Sequence, residues 1–321
     1  MICPSSNYSK KERIKILFQN AYCWINSEPI NRLITLFGGE IHTMNFSDRI
    51  KELNDFVNVW DYRKKLAEQQ LVNERWNISD DDFVNANETI ILQLAAELGL
   101  VHAQSPAFVP THILPLGGAR FSNLHRVKLV KELVDENEFH TPTKIVALSG
   151  MRPINEKERS SIDTYAPEAV TEYDAINAGL EAVFSLGKEF WEDRSDHTNP
   201  NLNSCVRNYE KTYRGISISS MAAPSRCPDR RADSRDTFEY FLSRYNIDTT
   251  SSVLLVTSQI YVPYQLLKFA DLAIEGGFNV ECIGTQMNNS ALRANASNYL
   301  QEIKAAVNAI YSLFQKYANE I

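Results

Sequence analysis

Two short stretches carry the residue types from which a ligand cradle is built. Gly117-Gly118 closes the apolar run 112–116, and Ser149-Gly150 closes a second run, 144–148. Glycine lets backbone N–H groups approach a ligand with no Cβ in the way. The helix after the first turn adds free N–H donors and a partial positive charge. Glu172 opens a later helix in Val170-Thr171-Glu172-Tyr173-Asp174-Ala175. A carboxylate there either complements the helix dipole or accepts from a ribose, an amine or a hydroxyl. Asp233-Ser234-Arg235-Asp236-Thr237-Phe238-Glu239 has the same double reading, with Asp233 or Ser234 as a cap and Thr237 and Glu239 toward a ligand. Glu172 and Glu239 are therefore the candidate catalytic carboxylates. Ser258 adds a hydroxyl after the run 252–257. Arg152 is a candidate clamp for phosphate or carboxylate, and the loop holding Arg226, Arg230 and Arg231 reads either as such a clamp or, more commonly for a run of this kind, as a solvated loop.

Other chemistries are disfavoured. The paired glycines lack the spacing of G-x-G-x-x-G and of a Walker A loop, and no G-x-S-x-G elbow occurs. The six histidines are scattered with no H-x-H or H-x-x-x-H, so no metal is expected. Five cysteines (Cys3, Cys23, Cys205, Cys227, Cys282) form no C-x-x-C pair and read as reduced thiols of a cytoplasmic protein. A net charge of −7 without a Lys/Arg run argues against a nucleic-acid partner. Residues 1–24 carry Lys10, Lys11, Arg13 and Lys15 in a helical pattern, which is not a targeting segment. No apolar run approaches the roughly 18–20 residues of a membrane span. A soluble protein with a small-molecule ligand is the expectation, and its oligomeric state is not legible.

The elements that must position these residues follow from periodicity. Residues 1–108 read as a helical region. Ser9 with Glu12 has capping-box spacing, Ser27 precedes Glu28-Pro29, Ser47 suits a third cap, a fourth helix covers 61–72, and Ser79 and Asp82 open a fifth. From 109 to 321 the pattern alternates. Strands are expected at 112–116, 144–148, 214–220, 252–257 and 279–284, and helices at 122–137, 170–191, 234–245, 263–275 and 291–317. Such alternation predicts an α/β fold with a mostly parallel five-stranded sheet covered on both faces. Ligands bind beyond the carboxyl ends of such strands, where the residues above stand. The polar stretches 151–169 and 193–213 read as long loops, a lid or binding segments.

Taken in order, several motifs resemble one family. Ile113-Leu114-Pro115-Leu116-Gly117-Gly118, Ile145-Val146-Ala147-Leu148-Ser149-Gly150, Thr171-Glu172-Tyr173-Asp174-Ala175, Ser234-Arg235-Asp236-Thr237-Phe238-Glu239 and Leu254-Leu255-Val256-Thr257-Ser258 are similar to the successive motifs of the YdcF-like family, across roughly residues 112–285. The resemblance implies a Rossmann-like three-layer fold, a ligand site at the strand ends and S-adenosylmethionine as its best single ligand. It implies no defined reaction. The family pattern continues with a His and, three residues on, an Arg; here Tyr261 and Tyr264 stand there, with Pro263 between them, and Tyr240 replaces an Asn. A pocket lined by Tyr261 is less cationic and better suited to stacking a flat ring. The leading expectation is a binder of a nucleoside-containing molecule, with a transferase or hydrolase as its enzymatic form. The competing expectation is a non-catalytic protein whose helical N-terminus binds a partner.

Overall fold

The computed structural model describes residues 5–43, 45–68, 77–136, 143–286 and 294–320. They contain twelve α-helices and seven strands. The chain divides into two compact units, one of Met1–Ala103, Gln259–Ile274 and Gln286–Ile321, the other of Gln104–Ser258 and Glu275–Thr285.

The first unit is helical. Helix α1 (Lys10–Ile25) starts on a complete Ser9–Glu12 capping box, and α2 (Glu28–Leu36) carries Pro29 in its first turn. Helix α3 (Phe46–Phe56) is capped by Asn45, whose side chain accepts from the Asp48 N–H; Ser47, the expected cap, lies inside the helix. Helix α4 (Tyr62–Glu68) covers the described part of the expected fourth helix, and 69–72 lie outside the described residues. The expected fifth helix is two, α5 (Asp82–Ala86), capped by Asp81, and α6 (Glu88–Glu97). Ser79 therefore caps neither.

The second unit carries β1 (His112–Pro115), α7 (Ser122–Glu136), β2 (Lys144–Gly150), α8 (Glu156–Ile162), α9 (Glu172–Phe184), β3 (Phe190–Arg194), β4 (Cys205–Tyr209), β5 (Ser217–Ala223), α10 (Ser234–Arg244), β6 (Ser252–Ser258) and β7 (Asn279–Thr285). One sheet runs β3-β4-β5-β2-β1-β6-β7. Strands β5, β2, β1, β6 and β7 are parallel, and β3 and β4 add an antiparallel extension. The sheet thus has seven strands, not the expected five. The two extra strands fall where a helix tail and a polar loop were expected. Helix α9 stops at Phe184 because Ser185 turns left-handed, at φ 53°. Strand β5 starts three residues later than expected because Arg214 and Gly215 both hold positive φ in a tight turn. The loop expected at 151–169 contains α8, opened by a capping box between Asn155 and Glu158.

Strand alternation sorts the faces. Ile113, Ile145, Ala147, Ile218, Leu254 and Val256 form one buried cluster with Val127 and Val130 of α7 and Ile176 and Leu180 of α9. On the opposite face His112 meets Phe241 of α10, ring centroids 5.9 Å apart, and Tyr245 at 5.8 Å.

Helix α11 (Val262–Gly276), except for its last two residues, and α12 (Ala296–Tyr317) belong to the first unit. Helix α12 packs against α1, α3, α4 and α6, with Leu300, Ile303, Val307 and Ile310 fully buried. Its N-terminal N–H groups at Ser297 and Ala296 donate to Asp80 at 2.7 and 3.3 Å. Among the described residues no helix is long and apolar enough to cross a membrane.

His112 generates a prediction. Burial, reinforced by Lys144, pushes its imidazole down to about 4. Between pH 6.5 and 4 the unfolded chain takes up a proton that native His112 refuses, so stability is lost as pH falls through that window. We expect the wild type to lose roughly 1–2 kcal/mol between pH 7 and pH 5 from this group. His112→Phe keeps an aromatic ring against Phe241 and Tyr245 and should flatten that slope. Urea unfolding at the two pH values measures it.

Candidate functional site

The carboxyl ends of β1 and β6 come together around one buried cation. Arg126 of α7, only 3% exposed, donates Nη1 to the Leu116 carbonyl at 2.7 Å and to the Gly117 carbonyl, and Nη2 to Ser258 Oγ at 3.1 Å. The Gly118 N–H donates to Asn123 Oδ1 at 2.8 Å. Neither glycine of the turn has positive φ; that conformation falls to Arg120, at φ 53°. Their lack of a side chain answers close approach instead. A Cβ on Gly118 would lie 2.7 Å from Arg126 Nη1, and one on Gly117 would meet Glu172 Oε1 and sit 2.8 Å from Ser149 Oγ. The turn is small because protein groups fill it.

Glu172, at the first position of α9, is held on one side. Its Oε2 accepts from Arg152 Nε at 2.9 Å, while Oε1 stands against Gly117 beside Ser149. Arg152, a candidate anion clamp, gives Nη1 and Nη2 to Glu158 at 2.7 and 2.9 Å. Glu158 has a fully buried side chain and also accepts the Asn155 N–H at 2.8 Å. Burial alone would raise its carboxyl; the hydrogen bonds from Arg152 and Asn155 outweigh that and hold it below the usual carboxylate range. Gly150, at the tip of β2, is different: a Cβ there would meet nothing within 4 Å.

The structure thus assembles Gly117, Gly118, Ser149, Arg152, Glu172 and Ser258 into one connected group. Thr237 and Glu239 of α10 are engaged otherwise. Thr237 Oγ1 donates to the Asp233 carbonyl at 2.9 Å, one turn back, and Glu239 pairs with Arg226 at 2.7 Å and with Arg235. The arginine loop clamps a carboxylate, but one of the protein's own. Asp236, its side chain wholly buried, accepts from Arg226 Nε at 2.6 Å and from Arg230 Nη1 and Nη2. Burial would raise Asp236; Arg230, the Asp233 N–H and Arg226 bring it down to about 2. Asp233 is the cap of α10. Tyr261 closes a short 3-10 turn and Tyr264 lies in the first turn of α11, both half-buried and both in the first unit. Among the described residues no His, Cys, Asp and Glu group of three or more suits a metal.

Arg126, Glu158 and Asp236 carry this region, and periodicity passes over them as ordinary helix positions. The only signal for Glu158 was its spacing from Asn155, a capping pattern.

Comparison with known proteins gives a different relationship from the YdcF-like one. The family model that matches is the Rv3785 N-terminal domain, over residues 9–99. The chain is similar to uncharacterized protein Rv3785 of Mycobacterium tuberculosis strain H37Rv and to uncharacterized protein Mb3814 of Mycobacterium bovis. Each is 28% identical to it over 320 residues, covering 91% of this chain and 88% of the relative. No solved structure matches. The YdcF-like resemblance is overturned by these findings, since neither the family model nor these relatives are of that type. Its short motifs have a local cause. The two helix-start motifs are the capping boxes Thr171–Asp174 and Asp233–Asp236, and the others are ends of buried parallel strands. Any α/β chain needs such features, and the departures at Tyr261 and Tyr264 lose their reference.

The two glycine environments predict opposite outcomes. Gly117→Ala should cost about 1–3 kcal/mol, because its Cβ must displace Glu172 and would stand 3.1 Å from Ser149 Cα. Gly150→Ala should change stability by less than about 0.5 kcal/mol. Chemical denaturation of the two variants checks the contrast.

Proposed function

We propose that the sheet-bearing unit is a Rossmann-like small-molecule-binding module, its ligand lying over Ser149, Gly150 and Glu172. One observation carries the reading: Glu172 Oε1, the Ser149 hydroxyl and Gly117 meet at the ends of β1 and β2. The neighbouring pair β1 and β6 is where strand order reverses, since β2 and β5 lie to one side of β1 and β6 and β7 to the other. Ligands of open α/β sheets bind at such a reversal.

Charge narrows the ligand class. The guanidinium groups of Arg126 and Arg152 are already taken up by carbonyls and carboxylates. Glu172 and Ser149 therefore favour a ligand that brings hydrogen-bond donors, such as ribose hydroxyls or an amine, over one that brings phosphates. A nucleoside-containing molecule fits, and S-adenosylmethionine presents both kinds of donor. In an enzymatic version Glu172 would be the proton acceptor. Cys23, Cys205, Cys227 and Cys282 are free thiols, which suits work in a reducing, cytoplasmic setting. A second reading is a partner-binding protein acting through its N-terminal helices. The matching family model favours it in one respect, because it treats residues 9–99 as a domain.

Thermal-shift and calorimetric titration with adenosine, S-adenosylmethionine and AMP tests the first reading. A ligand at a hundred times its Kd should stabilise by about 2.7 kcal/mol. A Cβ on Gly150 meets nothing within 4 Å, so Gly150→Leu should project into the ligand's place and remove the shift with little change in the melting temperature of the free protein. Glu172→Gln should weaken binding about tenfold, or about 1.4 kcal/mol. AMP binding much more tightly than adenosine would refute the donor-bearing ligand class, and no shift with any probe would favour the partner-binding reading.

A further inference from the structure

We propose that Glu158 is the positioning residue of this site, setting through Arg152 which oxygen of Glu172 faces the ligand. The inference rests on the binding reading above. Glu158 touches no ligand position. It lies on α8, within an excursion from 151 to 171 whose neck closes at the Pro153–Thr171 bridge. Helix α8 is anchored by Ile162, packed with Ala166, Ala169 and Ala175.

Geometry gives Glu158 its role. A guanidinium is a rigid planar fork, so fixing two of its nitrogens fixes the third. Glu158 takes both terminal nitrogens of Arg152, at 2.7 and 2.9 Å, which leaves Nε aimed at Glu172 Oε2 at 2.9 Å. A backbone bond ties the same pair again, from the Glu172 N–H to the Arg152 carbonyl at 2.9 Å. With Oε2 engaged, Oε1 is the oxygen presented to Gly117 and Ser149. Without the Glu158 charge, the two-nitrogen edge of Arg152 is released to turn onto Glu172, where a bidentate pair would occupy both oxygens. Glu158 thus keeps the arginine from closing the acceptor that the ligand needs.

The test uses the full-length chain with adenosine and S-adenosylmethionine as probes. Glu158→Gln keeps the shape and removes the charge. It should weaken binding at least tenfold in the wild-type background, and by less than twofold when Glu172 is already Gln. Arg152→Lys, which keeps a charge but loses the fork, should reproduce the loss and serves if Glu158→Gln does not fold. Equal losses in both Glu172 backgrounds would make Glu158 a structural residue and overturn the proposal. A second readout needs no ligand: the 15N-resolved Nε–H signal of Arg152, followed by proton exchange. In Glu158→Gln its shift and exchange rate should both change. If the wild type binds neither probe, the binding reading fails, and this signal still decides the positioning. An unchanged Arg152 Nε–H would overturn it.

Discussion

The sheet-bearing unit depends on one buried guanidinium. Arg126 closes the carbonyl ends of β1 at Leu116 and Gly117 and reaches Ser258 at the end of β6. These two strands flank the point where strand order reverses, so the same cation joins the two halves of the sheet. A charge taken out of water is costly unless each donor finds an acceptor. Carbonyls at strand ends are suitable acceptors, because the next residue has left the ladder and they would otherwise be orphaned. Gly118 has no Cβ for this reason: the arginine occupies that space.

The helical unit uses the same device. Arg13, 1% exposed, donates to the Ala273 carbonyl at 2.7 Å near the end of α11. Arg49, 3% exposed, donates to the Ile25 carbonyl at the end of α1, to the Ile41 carbonyl and to Asn31. Each satisfies carbonyls that a helix or loop end leaves open. Guanidinium groups elsewhere are matched to buried carboxylates, Arg152 to Glu158 and Arg226 with Arg230 to Asp236. Buried pairs of this kind add little net stability, because desolvation offsets the attraction, but they fix geometry. They also consume the cations that would otherwise attract an anionic ligand.

The antiparallel extension combines apolar packing of Phe190 and Tyr209 with polar matching across the sheet. Arg207 of β4 bonds Glu192 of β3 at 2.8 Å and Glu181 of α9 at 3.2 Å, and lies 3.8 Å from the Phe190 ring centroid. Beneath it Ser220 and Tyr209 both donate to Asn177 Oδ1, at 2.6 and 2.9 Å. A strand whose charges are met across the sheet needs no apolar run. Phe190-Trp191-Glu192-Asp193-Arg194 and Cys205-Val206-Arg207-Asn208-Tyr209 therefore read as helix tail and loop when taken alone.

By itself the sequence determined the parallel core. Runs such as Ile145–Leu148 and Val253–Val256 are buried on both faces, so every residue must be apolar, and no other short element demands that. It also determined the helix start at Ser9, because a capping box involves residues only three apart, and narrowed the start of α10 to Asp233 or Ser234. The meeting of Gly117, Ser149 and Glu172 was legible in outline, since each follows or faces a strand end. Only the tertiary structure decided what those residues touch. The partners Arg126–Ser258 and Arg152–Glu172 are 132 and 20 positions apart, and no local pattern encodes such pairings. The same limit explains why Arg226 and Arg230 read as anion clamps. Their true acceptor, Asp236, is close in sequence, but which way a loop folds back onto its helix depends on what buries that carboxylate.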